Sequence, residues 1–281
     1  MTSSAPALPA TRALFDALLD DAAVFPPGDE PLPSAVAAHL RRRTGPDGPF
    51  AGPFLCGSAR WDELVAALVP EQVLDLALVV TGGPTAVEDA VARASGEPRV
   101  ALAGVEVACD GTAAAVDELL AVLTDLPAGV VGSLEVPLGP GLPAAAARVA
   151  GTGCRLKLRT GGLRAAAFPG VDELATALHA CVQAAVPVKL TAGLHAAVRH
   201  RDDATGFEHH GFLNVLVAVG DALDGAGPDR LAQVLGETDG ARLSRTARGL
   251  DPSAVRATFT SFGTCSSDEP LADLRALGLL A

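Results

Sequence analysis

Eight short apolar runs alternate with Ala- and Leu-rich stretches of helical period along this chain. The predicted strands are residues 22–25, 53–56, 73–80, 100–107, 130–136, 154–159, 186–191 and 257–262. The predicted helices between them are residues 62–68, 85–94, 113–123, 143–150 and 171–185. Because strands that alternate with helices form parallel βαβ units, the pattern predicts an α/β protein with a parallel sheet.

The number of units favours a closed (β/α)8 TIM barrel over an open, doubly wound sheet. A single barrel domain of about 250 residues is typical, and residues 1–281 fit one such domain. Residues 9–20 are predicted to form a helix that caps the bottom of the barrel.

Residues 200–256 separate the seventh and eighth predicted strands by more than one crossover helix needs. They contain a polar stretch at 201–206, an apolar helix near 211–223 and a second helix near 229–235. Extra chain after a barrel strand lies beside the active face. We therefore expect a helical insertion within the barrel that forms a lid or a subunit contact, the latter in a homo-oligomer.

Composition excludes several classes of partner. The formal net charge is −12, and no basic run is longer than the arginine triplet 41–43, which is predicted to end a helix. Nucleic acid and anionic membranes are therefore not expected partners. The five cysteines are odd in number and lack metal-site spacing. With no signal peptide or membrane-length apolar run, the sequence predicts a cytoplasmic protein that binds a small molecule.

Only two lysines occur, Lys157 and Lys189, against nineteen arginines. They lie in the sixth and seventh predicted strands. Lysine differs from arginine in having a nitrogen that can lose its proton when buried and then act as a nucleophile. The two positions therefore indicate carbonyl chemistry through a Schiff base.

Strand alternation predicts which polar side chains face the barrel interior. Successive side chains of a strand point to opposite faces, and the flanking leucines and valines suit the helix-covered outside. The polar residues expected inside are Glu106, Glu135, Arg155, Lys157, Arg159, Lys189 and Thr191. Four neighbouring strands would thus supply two glutamates and two lysines to one cavity.

These residues suit imine chemistry. A partly desolvated lysine beside other cations loses its proton more easily, and lowering its pKa from about 10.4 to near 7 takes about 4–5 kcal/mol. Lys157 would attack the carbonyl, Lys189 would lower its pKa, and Glu106 or Glu135 would move protons. The same residues also fit an ion network that only stabilises the barrel.

Three segments carry a resemblance to a known family: 157–161 (KLRTG), 189–193 (KLTAG) and 261–267 (SFGTCSS). They resemble the deoxyribose-phosphate aldolase group of class I aldolases. The resemblance implies a (β/α)8 barrel with Lys157 as the Schiff-base residue and Lys189 as the residue that tunes it. It also implies that Glu106 lies near the proton-relay carboxylate and that Gly263 and Ser266 belong to a turn that binds phosphate.

Departures from that family change the expected substrate. Arg159 stands where the family has a small residue, Leu194 replaces the second glycine of the strand-seven turn, and the insertion is foreign to those aldolases. Segments 25–27, 157–162, 192–195 and 210–214 also resemble an uncharacterised bacterial family of predicted TIM-barrel proteins. We expect a small carbonyl compound, with Arg159 and Arg199 holding an anionic group, and not deoxyribose phosphate.

The sequence therefore predicts a lyase or aldolase, with two alternatives. One is a metal-dependent hydrolase or isomerase using His195, His209 or His210 with the glutamates, although no metal-binding spacing is present. The other is a non-catalytic barrel that binds an anionic metabolite. No cofactor is expected, since nucleotide fingerprints are missing. The predicted catalytic residues are Lys157, Lys189, Glu106, Glu135 and His195; the predicted substrate-binding residues are Arg159, Thr160, Thr191, Arg199, Asn214, Gly263 and Ser266.

Overall fold

The chain forms a closed barrel of eight parallel strands, as predicted. The computed structural model describes residues 9–281. The barrel strands are β1 (Leu19–Asp21), β2 (Ala51–Gly57), β3 (Leu74–Val80), β4 (Val100–Ala108), β5 (Val131–Glu135), β6 (Arg155–Arg159), β7 (Val188–Thr191) and β10 (Phe259–Thr264). Around the barrel, neighbouring strands follow in chain order from β1 to β7, then β10, which pairs with β1 and closes the barrel.

Helices surround this barrel. They are α1 (Pro9–Arg12), α2 (Leu32–Thr44), α3 (Trp61–Ala67), α4 (Pro84–Ser95), α5 (Ala113–Leu123), α6 (Leu142–Val149), α7 (Val171–Gln183), α8 (Phe212–Leu223), α9 (Pro228–Leu235), α10 (Gly240–Ala247), α11 (Pro252–Thr258) and α12 (Asp268–Ala276). In α7, Leu174, Leu178 and Cys181 recur at helical spacing and are buried. The arginine triplet 41–43 lies in the last turn of α2, which confirms that prediction.

The predictions for the N-terminal region are wrong. The helix there ends at Arg12, and the first barrel strand is Leu19–Asp21, not residues 22–25. Ala17 has a φ of 47°, a left-handed conformation that does not continue a helix. The backbone of the next residues closes the barrel between β10 and β2. Residues 22–25 instead form a turn, in which the Phe25 N–H donates to the Ala22 carbonyl.

The insertion belongs to the outer layer of the barrel. Nearly all of α8 is buried, and its Phe212 ring stacks on Phe262 of β10 at a centroid distance of 5.1 Å. The predicted lid is therefore wrong for the helical part. A two-stranded antiparallel hairpin, β8 (His200–Arg201) and β9 (Glu208–His209), precedes α8 and was not predicted. Its His209 ring lies 4.5 Å from that of Phe168, in the loop after β6.

Asn214 holds the insertion together through hydrogen bonds to three backbone groups. It is fully buried, and its Oδ1 accepts a hydrogen bond of 2.9 Å from the backbone N–H of Arg199. Its Nδ2 donates to the carbonyls of Val234 and Glu237, both at 2.8 Å. Its polar atoms are thus hydrogen-bonded to backbone groups, and a contact between Asn214 and substrate stays a prediction.

Removing this amide should destabilise the fold. Asn214→Ala leaves one N–H and two carbonyls without these partners, and we expect the free energy of unfolding to fall by about 2–4 kcal/mol. Urea unfolding measures the loss. The matched control is Gln233→Ala on the exposed side of α9, where we expect a change within about 0.5 kcal/mol. Equal losses in the two variants would contradict the role given to Asn214.

Candidate functional site

Strand register brings the predicted interior residues into one row. Glu135 of β5 is the registered partner of Lys157 of β6, which is in turn the partner of Lys189 of β7. Lys189 is the partner of Ser261 on β10. The leucines between the cations, such as Leu158, are also fully buried, as expected for side chains that face the helix layer. The predicted inward orientation of both lysines is confirmed.

Opposite charges alternate along a continuous line through the barrel interior. Glu106 contacts both lysines: its Oε2 lies 2.8 Å from Lys157 Nζ and its Oε1 forms an ion pair with Lys189 Nζ. Lys157 Nζ also lies 2.9 Å from Glu135 Oε2, and Glu135 Oε1 lies 3.0 Å from Arg159 Nε. We call this line the charge chain; in order its members are Asp20, Lys189, Glu106, Lys157, Glu135 and Arg159.

The charge chain runs from the sealed interior to solvent. The exposed fraction of the side chain is 0% for Lys189, 5% for Lys157, 17% for Glu135 and 51% for Arg159. Arg159 is the last residue of β6, and the C-terminal ends of the strands form the face on which TIM barrels carry their active sites. Lys157 is therefore the amine nearer to solvent, and Lys189 is the more deeply buried of the two.

The carboxylates keep Lys157 charged. Burial alone lowers the pKa of Lys157, but the negative charges of Glu106 and Glu135 outweigh burial, so its pKa lies above the ordinary value. Burial likewise raises the pKa of Glu106, and the charges of Lys189 and Lys157 reverse that effect and hold its pKa below the usual range. The pKa of Glu135 is also lowered, because Lys157 and Arg159 outweigh its burial.

The expectation that Lys189 lowers the pKa of Lys157 is therefore wrong. It assumed that cations surround the nucleophile, whereas Glu106 lies between the two amines and contacts both. A third carboxylate, Asp20, pairs with Lys189 from β1. Since three carboxylates face the two amines, attraction exceeds repulsion, and the resting state is an ammonium ion.

An open cavity of about 300 Å³ lies where the charge chain reaches the surface. Ala108, Glu135 and Arg159 contribute from the ends of β4, β5 and β6, and the loop before α7 supplies the opposite wall. Glu135 belongs to both the cavity wall and the charge chain. Lys157 does not line the cavity, but its Nζ contacts the Glu135 carboxylate at 2.9 Å.

Comparison with known proteins adds little to this geometry. No family model and no curated protein matches the chain. One solved structure, a nitroalkane oxidase from Streptomyces ansochromogenes, shares 16% identity with a TM-score of 0.32, over 90% of this chain and 66% of that chain. A TM-score this low supports no conclusion about function. The TIM barrel rests on the strand pairing of the chain itself.

The turns that follow β6 and β7, at residues 160–161 and 192–193, pack against each other. Thr160 is fully buried, and its hydroxyl donates to the carbonyl of Ala192 at 2.6 Å. A Cβ on Gly161 would lie 2.7 Å from the Cα of Gly193, so the two turns are packed backbone to backbone. The Thr160 hydroxyl thus joins the exits of β6 and β7, and a contact between Thr160 and substrate stays a prediction.

Other predicted site residues lie around the mouth without touching the charge chain. His195 follows β7; its Nδ1 lies 3.0 Å from Glu269 Oε2, and its Nε2 lies 3.8 Å from Cys265 Sγ. Ser266 Oγ accepts from the backbone N–H of Glu269 at 3.4 Å, at the start of α12. The catalytic role of His195 and the substrate-binding role of Ser266 stay predictions.

The remaining three substrate-binding candidates are divided between two places. Thr191 and Gly263 are registered partners on β7 and β10, and a Cβ at Gly263 would lie 3.4 Å from the Thr191 hydroxyl. Their contact with substrate stays a prediction. Arg199 lies in the insertion, where its guanidinium is 3.2 Å from Glu208 Oε2. The structure does not bring Arg199 together with Arg159.

The histidines and glutamates predicted for a metal site do not converge. Glu106 and Glu135 are paired with lysines inside the barrel. In contrast, the His209 ring packs against Phe168, and His210 Nε2 donates a hydrogen bond of 2.8 Å to the Pro169 carbonyl. Within residues 9–281, no group of three or more His, Cys, Asp or Glu side chains is placed to hold a metal ion. No described helix has both the length and the apolar composition to cross a membrane.

Sequence reasoning missed Asp20, the buried end of the charge chain. Its Oδ2 pairs with Lys189 and accepts a hydrogen bond of 2.8 Å from Ser261 Oγ. A Cβ at Gly52 would collide with its other oxygen, so the glycine of β2 makes room for this carboxylate. The available signal was an acid beside buried leucines in Leu18-Leu19-Asp20-Asp21, a pattern hidden by the predicted helix.

Glu106 should be the most sensitive charge of the barrel. Glu106→Gln keeps the shape but leaves two buried ammonium groups without the carboxylate they share, and we expect the free energy of unfolding to fall by about 3–5 kcal/mol. Urea unfolding at neutral pH measures it. Glu88→Gln, on the exposed face of α4, is the matched control and should change stability little. A loss below about 1 kcal/mol for Glu106→Gln would contradict the bridging role.

The stabilisation by Glu106 should depend on pH in a defined way. Lowered carboxyl pKa values give stability that is complete above the unfolded value of about 4.3 and is lost as pH falls through the folded values. The raised pKa of Lys157 gives stability that is complete below about 10.4 and is lost as pH rises further. The stability difference between wild type and Glu106→Gln should therefore be flat between these limits and shrink outside them. A difference that changes steeply near pH 7 would contradict this assignment of charges.

Proposed function

We propose that the chain is a Schiff-base-forming lyase of the aldolase type, acting on a small carbonyl compound. One observation carries the proposal: Lys157 Nζ lies 2.9 Å from a carboxylate that lines an open cavity at the C-terminal face of the barrel. Lysine, a proton acceptor and room for a substrate are therefore adjacent. Lys189 is sealed beneath, where it holds Glu106 in place.

The first step requires loss of a proton from Lys157. Glu135 is the better acceptor because it is less deeply buried than Glu106 and reaches solvent. With ordinary pKa values, a lysine and a glutamate differ by about 6 units, so this transfer costs about 8 kcal/mol. The shifts described above increase that cost. Imine formation should therefore be slow at neutral pH in the absence of further interactions and should accelerate as pH rises.

Rotation of Glu135 also clears the path to the amine. Glu135 lines the cavity and Lys157 does not, so in the proposed reaction the Glu135 carboxylate moves aside to let the carbonyl carbon reach Lys157. The nitrogen lone pair then forms a bond to the carbonyl carbon. The carbonyl oxygen takes up one proton from the attacking nitrogen and one from the protonated Glu135 and leaves as water, which gives the iminium ion and restores the Glu135 carboxylate.

Carbon–carbon cleavage follows from the iminium charge. In a β-hydroxy carbonyl substrate, the bond between the α- and β-carbons breaks and its electron pair moves toward the nitrogen, which forms an enamine. The β-hydroxyl gives its proton to a carboxylate and the β-carbon leaves as a carbonyl compound. Protonation of the enamine and addition of water then release the second product and restore the lysine. Glu135 or Glu106 serves as the proton acceptor and donor.

The second candidate is a non-catalytic barrel that binds an anionic metabolite. The observation that favours it is the pairing of both amines with carboxylates in the resting structure. Lys157→Arg separates the two functions, because arginine retains the charge but forms no imine with a carbonyl. Ligand binding that persists without turnover in either protein would favour the second candidate.

Borohydride trapping tests the imine directly. With small aldehydes, ketones and keto acids, we expect a reduced adduct on the peptide that contains Lys157 and none on the peptide that contains Lys189, because Lys189 is fully buried. The yield should increase from pH 7 to pH 10, since the raised pKa of Lys157 limits the free amine. Peptide mass mapping is unambiguous with only two lysines. Lys157→Arg is the control, and no adduct with any of these compounds at pH 10 would contradict the proposal.

A further inference from the structure

Arg159 presents an unused part of its guanidinium at the mouth of the barrel. Its side chain is half exposed, and its Nε donates a hydrogen bond of 3.0 Å to Glu135 Oε1. Within residues 9–281, that carboxylate is the hydrogen-bond partner of the Arg159 side chain. The terminal nitrogens therefore remain available as a planar pair of donors, the geometry that binds a carboxylate through two parallel hydrogen bonds.

The cavity beside Arg159 fits a small and partly apolar molecule. Its volume of about 300 Å³ is at the lower end for ligand pockets. Much of the wall is apolar and comes from Ala108, Val136, Pro137, Leu138, Ala167 and Pro169. Glu173 also lines the cavity, but it lies at the exposed start of α7, where its charge is screened by solvent. Arg159 is the cation on the wall.

A single carboxylate group separates the amine from the guanidinium. One oxygen of Glu135 lies 2.9 Å from Lys157 Nζ, and the other lies 3.0 Å from Arg159 Nε. When the reacting carbon of a substrate lies at Lys157 Nζ, the distance from that carbon to Arg159 is therefore about the width of one small functional group. That spacing suits an anion bonded directly to the carbonyl carbon, and it is too short for a phosphate carried several bonds away.

We infer that the substrates are 2-keto acids, with Lys157 attacking the keto carbon and the terminal nitrogens of Arg159 binding the adjacent carboxylate. This inference rests on the proposed imine chemistry and names its substrate class. Arg159 thereby becomes the residue that determines specificity. The apolar wall receives the carbon chain beyond the keto group.

Substrate binding also changes the basicity of Glu135. Its pKa is lowered mainly by Lys157 and in part by the charge of Arg159. When a substrate carboxylate shares the charge of Arg159, the pKa of Glu135 rises and Glu135 becomes a stronger proton acceptor.

The test compares two molecules of nearly equal shape, pyruvate and its uncharged amide, pyruvamide. The ratio of their borohydride adduct rates on Lys157 is measured at pH 8 in wild type, Arg159→Gln and Arg164→Gln. Arg164 is the matched control because it is exposed on the loop after β6 and does not line the cavity. We expect wild type and Arg164→Gln to prefer pyruvate, and Arg159→Gln to reduce that preference about tenfold or more.

The outcomes separate this inference from the proposed function. Equal adduct rates for the two molecules, unchanged in Arg159→Gln, overturn the keto-acid inference and leave the imine chemistry intact. If no adduct forms with any carbonyl compound, saturation-transfer NMR of pyruvate with wild type and Arg159→Gln decides the rest. Binding that disappears with Arg159→Gln supports a carboxylate site without imine chemistry, and an identical signal or none in both proteins overturns the site as well.

Discussion

Alternation of charge along the barrel interior is the interaction on which this structure depends. Single buried ions cost several kcal/mol each, and they are tolerated only when opposite charges and hydrogen bonds surround them. Here each member of the charge chain has an opposite charge as its neighbour, and Glu106 joins the two amines. The result is an electrically balanced line that begins at Asp20 and ends in solvent at Arg159.

The same balance determines where chemistry can occur. Lys189 is enclosed by carboxylates and strands, so its role is to hold the charge chain in place. Lys157 contacts Glu135, and Glu135 lines the cavity. The proposed reactivity of Lys157 therefore depends on Glu135. In the proposed reaction, Lys157 is therefore held as an unreactive ammonium ion until Glu135 accepts its proton.

Much of the barrel could be predicted from the sequence because period-two alternation fixes side-chain direction. In Arg155-Leu156-Lys157-Leu158 the alternation alone assigns the lysine to the interior. Asp20 could not be found this way, since a three-residue strand has too few positions to show a period and its placement depends on barrel closure. The pKa of Lys157 was predicted in the wrong direction for the same reason: it depends on contacts between distant strands. The hydrogen bonds of Asn214 and Thr160 to backbone carbonyls could not be predicted either, because sequence does not show which polar side chains are satisfied by backbone groups.

The protonation state of Lys157 tests the central claim most directly. Lysine labelled with ¹⁵N at Nζ gives two side-chain signals in this chain, and Lys157→Arg assigns them. We predict that the Lys157 signal stays that of an ammonium ion from pH 6 to above the ordinary lysine pKa of about 10.4, because Glu106 and Glu135 stabilise the charge. A Lys157 signal that titrates near neutral pH would show a free amine at rest and would contradict the account of the charge chain.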